Sequence, residues 1–167
     1  IQRLRTLHTK HNLNSDGIYI AIDSYHDLRT AFMFGIGAGG DKSDWIASDN
    51  GMNEDSSWNP IWDVKTTIDD LGWNAEIKIP INQLRFKDGN NIIWGFNIMR
   101  GIHRLDEKSL WDHVPANSPG WISESGELHG LDLKSKNQVD IRPFVTASMN
   151  TYESVANNPY RDGKDTN

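Results

Sequence analysis

Ile18-Tyr19-Ile20-Ala21-Ile22-Asp23 and Phe32-Met33-Phe34-Gly35-Ile36 are the stretches that decide the fold class. Successive side chains of a strand point to opposite faces. Ile18, Ile20 and Ile22 therefore share one face, and Tyr19, Ala21 and Asp23 the other. Phe32, Phe34 and Ile36 repeat the pattern after the turn-like stretch Ser24 to Thr30. Two alternating runs with a short polar connection predict neighbouring antiparallel strands. The glycine cluster from Gly37 to Asp41 ends the second.

The same period recurs outward from this pair. A strand is predicted near Ile61 to Ile68, with Trp62, Val64 and Thr66 on one side. After a turn at Asp69-Asp70-Leu71-Gly72, Trp73, Ala75, Ile77 and Ile79 alternate with Asn74, Glu76 and Lys78. Pro80, which cannot donate to a ladder, closes that run. Ile81 to Phe86 is predicted as one helical turn, and Lys87-Asp88-Gly89-Asn90-Asn91 as a tight turn. Ile92, Trp94, Phe96 and Ile98 share a face in a strand that ends at Arg100. Residues 48–59 read as a polar loop and 105–119 as irregular. Final strands are predicted around Glu127 to Leu133 and Val139 to Met149, then a flexible polar tail from Glu153 to Asn167. Short strands with turns between them and no long helical period predict an all-β antiparallel sandwich with short helical turns only. It is expected to occupy 1–138, with 139–167 the last strand or the start of a following module.

Composition narrows the function. A chain of 167 residues fits one domain and buries roughly two thirds of its unfolded surface. A net charge of −6 is the wrong sign for a nucleic-acid binder, and no polybasic segment offers itself to an anionic membrane. With no cysteine there is no disulfide, thiolate zinc site or cysteine nucleophile. No apolar run approaches the roughly 20 residues of a membrane helix. Ile1-Gln2-Arg3-Leu4-Arg5 opens without methionine or signal peptide, so a piece of a longer protein is expected. Seven tryptophans and 14 glycines fit two descriptions: aromatic platforms for sugar rings, or a β core with tight turns.

The tryptophans divide by position. Trp73 and Trp94 keep step with aliphatic residues and are expected in the core, while Trp62 is open. Trp45, Trp58, Trp111 and Trp121 lie in or beside loops and are the candidates for sugar contact, since loops at sandwich ends carry function. Their alternative role is to fold back as lids over the core. Arg100 and Glu76 suggest a cross-strand ion pair, or, for Arg100, hydroxyl recognition.

Two acidic clusters could supply the oxygens that calcium requires: Asp23, His26 and Asp27, and the loop with Asp49, Asn50, Asn53, Glu54 and Asp55. Asp49, Asn53 and Asp55 are the metal candidates; a solvated acidic loop is the alternative. The six histidines are scattered and show no HExxH spacing, which argues against transition metals. Catalysis has little support. Glu76, Glu107, Glu124 and Glu127 are available, but sequence places no two of them across one cleft, as a glycosidase requires. No GxSxG elbow and no phosphate-loop lysine are present.

Five motifs in order carry a resemblance: Trp58-Asn59-Pro60-Ile61-Trp62-Asp63; Gly72-Trp73-Asn74-Ala75-Glu76-Ile77-Lys78-Ile79-Pro80; Leu84-Arg85-Phe86; Trp94-Gly95-Phe96-Asn97 with Arg100; and Gly126-Glu127-Leu128-His129-Gly130-Leu131. Together with Asp23-Ser24-Tyr25-His26-Asp27 they resemble the family 9 carbohydrate-binding module-like domain. More closely, they resemble the version at the front of bacterial surface proteins with a predicted outer-membrane β-barrel. Ile141-Arg142-Pro143-Phe144-Val145 is similar to that barrel's first strand. The resemblance covers roughly 15–147 and implies a jelly-roll sandwich that is periplasmic, outer-membrane-associated or extracellular. It also implies binding of xylan- or glucan-like carbohydrate, structural calcium, and no catalysis of the domain's own. The family's opening strands are expected to be missing, and its sugar-stacking tryptophans match no particular position here. The alternative function is a structural or protein-interaction domain attached to the barrel.

Overall fold

The structure, a computed structural model, describes residues 15–134. The expected strand Val139 to Met149, its Ile141–Val145 motif, the tail and the 138/139 boundary lie outside the described residues. Among those described, the elements are strands joined by short 3-10 turns at Asp49–Gly51, Ile81–Gln83, His103–Leu105 and Ile122–Glu124. The all-β antiparallel sandwich predicted from the alternation is what forms.

The strands are β1 (Gly17–Asp23), β2 (Ala31–Gly37), β3 (Lys42–Ser48), β4 (Asn53–Asp55), β5 (Asp63–Ile68), β6 (Trp73–Lys78), β7 (Gly89–Ile102), β8 (Glu107–Leu110) and β9 (Gly126–Leu133). Seven of them make one sheet in the order β4-β3-β2-β1-β7-β8, with β9 also paired to β7. The long strand β7 pairs along one edge with β1. Along its other edge it pairs with β9 through Phe96 and with β8 from Met99 onward. The hairpin β5-β6 forms the second sheet.

The hairpin covers one face of the large sheet. Ile22, Phe32, Phe34, Ile36 and Trp94 are buried there with Trp62 and Leu84, and Val64, Trp73, Ala75 and Ile77 of the hairpin pack against them. Each large side chain taken fully out of water contributes roughly 1.5–3 kcal/mol. Trp94 is core, as expected. Trp62 also belongs to the core: its Nε1 donates to Asp44 Oδ2 at 2.9 Å, and its ring meets Phe34 edge-on at 5.2 Å. Trp73 is half-buried at the margin.

Three strands depart from the sequence reading. Lys42–Ser48 becomes β3 although it lacks alternation, because both its faces are covered and Ser43, Asp44, Trp45 and Ala47 are all buried. The polar loop at 48–59 contains β4, and the irregular stretch at 105–119 contains β8. Both are short, exposed edge strands with charged side chains, so neither has an apolar period to read. The turn expected at 87–91 is instead the irregular start of β7. Asn91 has φ 50°, and the register to β9 shifts on either side of Ile92.

Candidate ligand cavity

The second face of the large sheet is also apolar. Ala21, Ala31, Met33, Trp45, Ala47 and Ile122 are buried there, with Tyr19 and Trp121 packed against them. Strand register arranges these side chains in rows. One row runs Trp45, Met33, Ala21, Asn97 across β3, β2, β1 and β7. The next runs Ser43, Gly35, Tyr19, Met99, Leu110 across to β8. At Gly35 a Cβ would collide with Ser43 Oγ and come within 3.1 Å of the Tyr19 ring. The missing side chain is what lets that ring lie across β2, where it meets Trp45 edge-on at a centroid distance of 6.1 Å.

The rows form the floor of a cavity of about 530 Å³, a volume in the range of small-ligand sites. Glu54 stands at its β4 edge, and Val114, Pro115, Ala116, Ser118, Gly120 and Trp121 supply the wall. Two asparagines hold that wall. Buried Asn97 Oδ1 accepts the Asp112 N–H at 3.1 Å, and its Nδ2 donates to the Asp112 carbonyl at 3.2 Å. Asn50, at φ 58°, accepts the Ser123 N–H at 2.9 Å and donates to Ser123 Oγ at 3.0 Å. Its carbonyl takes the Trp121 N–H at 3.1 Å. Gly51 follows at φ 89°, and a Cβ there would strike the Trp121 indole. The indole thus rests directly on the Gly51 backbone.

No protein-family model matches the chain, and no curated protein matches it. Among solved structures it is similar to a family 9 carbohydrate-binding module from Caldicellulosiruptor kristjanssonii in complex with cellotriose. The TM-score is 0.50 and the identity 18%, over 77% of this chain and 64% of that one. The fold is family 9-like. At this identity the likeness is one of architecture, and the chain spans less than two thirds of that module.

The family 9-like sheet brings together two of the expected sugar-contact residues, Trp45 and Trp121, in one cavity. Trp45 is no loop residue: it sits in β3, 5% exposed, as part of the floor. Trp58 lies on the other face, half-buried against Phe32 and Phe34 at 4.9 and 5.4 Å, and acts as a lid on the core. Trp111 is 62% exposed and outside the cavity, with its ring against Phe96. Arg100 lines a separate cleft with Asp16, Trp73 and Arg104. It cannot form the expected cross-strand pair with Glu76, which stands opposite Lys65 in the other sheet.

Two of the metal candidates have partners within the chain. Asp49 pairs with Arg29 at 3.1 Å. Asp55 accepts the Ser57 N–H at 2.8 Å, and the hydrogen bonds from Ser57 hold its carboxyl below the ordinary value. Asn53 is an exposed residue of β4. In the other cluster, Asp23 is buried and accepts the N–H groups of Asp27 and Leu28. Burial pushes its carboxyl up in spite of those bonds. Among the described residues no three His, Asp or Glu side chains are grouped to hold a metal ion.

Tyr19, Met33, Asn97 and Met99 are among the cavity-lining residues that the sequence reading does not single out. The signal for Tyr19 was present in the second phase of the β1 alternation. For Asn97 it was not, because its partner Asp112 lies in a stretch without a period.

Proposed function

We propose that this domain is a non-catalytic carbohydrate-binding domain whose ligand enters the cavity floored by Trp45 and Tyr19 and walled by Trp121. The observation that carries the reading is three aromatic side chains from separate elements lining one ligand-sized space. Aromatic faces accept the C–H faces of a sugar ring, and a rigid sheet supplies a pre-formed platform at little ordering cost. The similar fold of a module solved with cellotriose supports the reading, and so does the motif resemblance. Glu54 is the one carboxylate among the described lining residues, whereas glycoside hydrolysis takes a pair.

Calorimetric titration with gluco- and xylo-oligosaccharides, plain and substituted, tests this. Trp121→Ala is expected to weaken binding at least tenfold with the melting temperature held within a few degrees. Absence of binding to every member of a broad panel at millimolar sugar would sink the proposal.

The domain's setting belongs to the same proposal. We place it in the periplasm or at the cell surface, joined to an outer-membrane barrel in one polypeptide, on the strength of the Ile141–Val145 motif. Fractionation of native cells with a domain-specific antibody checks it, and a signal confined to the cytoplasm rejects it.

A further inference from the structure

The cavity has more aromatic and aliphatic surface than a purely hydroxylated ligand can use. Met33, Met99, Leu110, Val114, Pro115 and Ala116 line it besides the three rings. Among the described lining residues the polar side-chain groups are the Tyr19 hydroxyl, the two indole N–H groups, Glu54, Asn97 and Ser118, and the last two are already engaged. Asn97 Oδ1 accepts two backbone N–H groups, from Ile98 and Asp112, and its Nδ2 faces the Asp112 carbonyl. The Ser118 hydroxyl donates to Glu124 Oε1 at 2.7 Å. A sugar hydroxyl pressed against this lining exchanges water for carbon, which costs free energy for every hydroxyl left without a partner. A methyl or acyl group in the same place gains by leaving water.

We infer that the cavity selects saccharides bearing acyl substituents, O-acetyl groups above all, over the corresponding unsubstituted chain. This rests on the carbohydrate reading of the same cavity. The sugar ring stacks on the aromatic floor, while the acetyl methyl lies against the aliphatic wall built by Leu110, Val114 and Pro115. Leu110 is 43% exposed, so it forms the mouth of the cavity and can be changed without opening the core.

The test is titration of the domain with partly O-acetylated xylo-oligosaccharides and with the same preparation after alkaline deacetylation. The expected result is a dissociation constant at least tenfold lower for the acetylated form. Leu110→Ser should reduce that ratio several-fold while leaving the melting temperature unchanged. Equal affinity for the two preparations, or a ratio untouched by both Leu110→Ser and Val114→Ser, overturns the inference and leaves carbohydrate binding standing. Failure of both preparations and of the wider panel overturns the carbohydrate reading itself.

Discussion

Asp41 is buried in the turn between β2 and β3, and its Oδ1 has no hydrogen-bond partner among the described residues. Burial raises its carboxyl above the ordinary 3.8. The folded chain then keeps a proton at pH values where the unfolded chain has released it. Stability linked to that proton is complete below 3.8 and is lost as pH rises through the raised value. Asp41→Asn, which cannot ionise, should therefore stabilise the fold at pH 7, and the gain should fade near about pH 3.5. Urea unfolding of both proteins at the two pH values measures it; an equal difference at both would show that ionisation is not the cause. At this scale the sequence is informative about identity but not about surroundings. Trp62 and Trp45 become core and floor only because Asp44 and Tyr19 come to them from other strands.

β6 is legible because one of its faces is buried and one wet, whereas β1 and β2, covered on both faces, are legible through the Ile and Phe residues at every second position. β1, β2, β6 and most of β7 fall within a few residues of where alternation puts them. β3 escapes because Lys42, Ser43 and Asp44 leave its first half without an apolar period, and β4 and β8 because both their faces are exposed. The 3-10 turn at Asp49–Gly51 escapes for a different reason. Its left-handed residues are stabilised by a distant loop, through Asn50 and Ser123. Gly51→Ala tests how tightly that turn governs the cavity. The new methyl group meets both an unfavourable φ and the Trp121 ring. We expect a stability loss of about 1–2 kcal/mol and at least a tenfold loss of saccharide affinity, from displacement of the indole. Retained affinity alongside reduced stability would detach Trp121 from the site.

For the whole molecule, two apolar faces of one sheet have different fates. Among the described residues the hairpin fills one of them, and a loop roofs the other around a cavity. The alternation in β1 and β2 reveals that both phases exist, but not which of them encloses a cavity. That is settled by tertiary closure from residues 112–125. The net charge of −6 suggests a strong field, yet the described cavity lining carries one ionisable carboxylate and no cation. Binding of neutral oligosaccharide should therefore change less than twofold between roughly 50 and 500 mM salt, since screening acts on charge pairs and not on stacked rings. Titration at the two ionic strengths checks this, and a larger change would point to an ion-pair site elsewhere.

Among the described residues the wall of the cavity is tied at Asp112 by Asn97, at Trp121–Ser123 by Asn50, and at Ser118 by its hydroxyl's bond to Glu124. The segment 113–120 contains no strand and adds nothing to either core cluster. Its first part therefore behaves as an exchangeable cassette. Side chains at 113–117 are expected to be exchangeable, by natural drift or by a library, without disturbing the framework, whereas Gly120 is fixed because a Cβ there would strike Asn50. One scaffold of this kind can serve a succession of ligands in the way an antibody domain serves a succession of antigens.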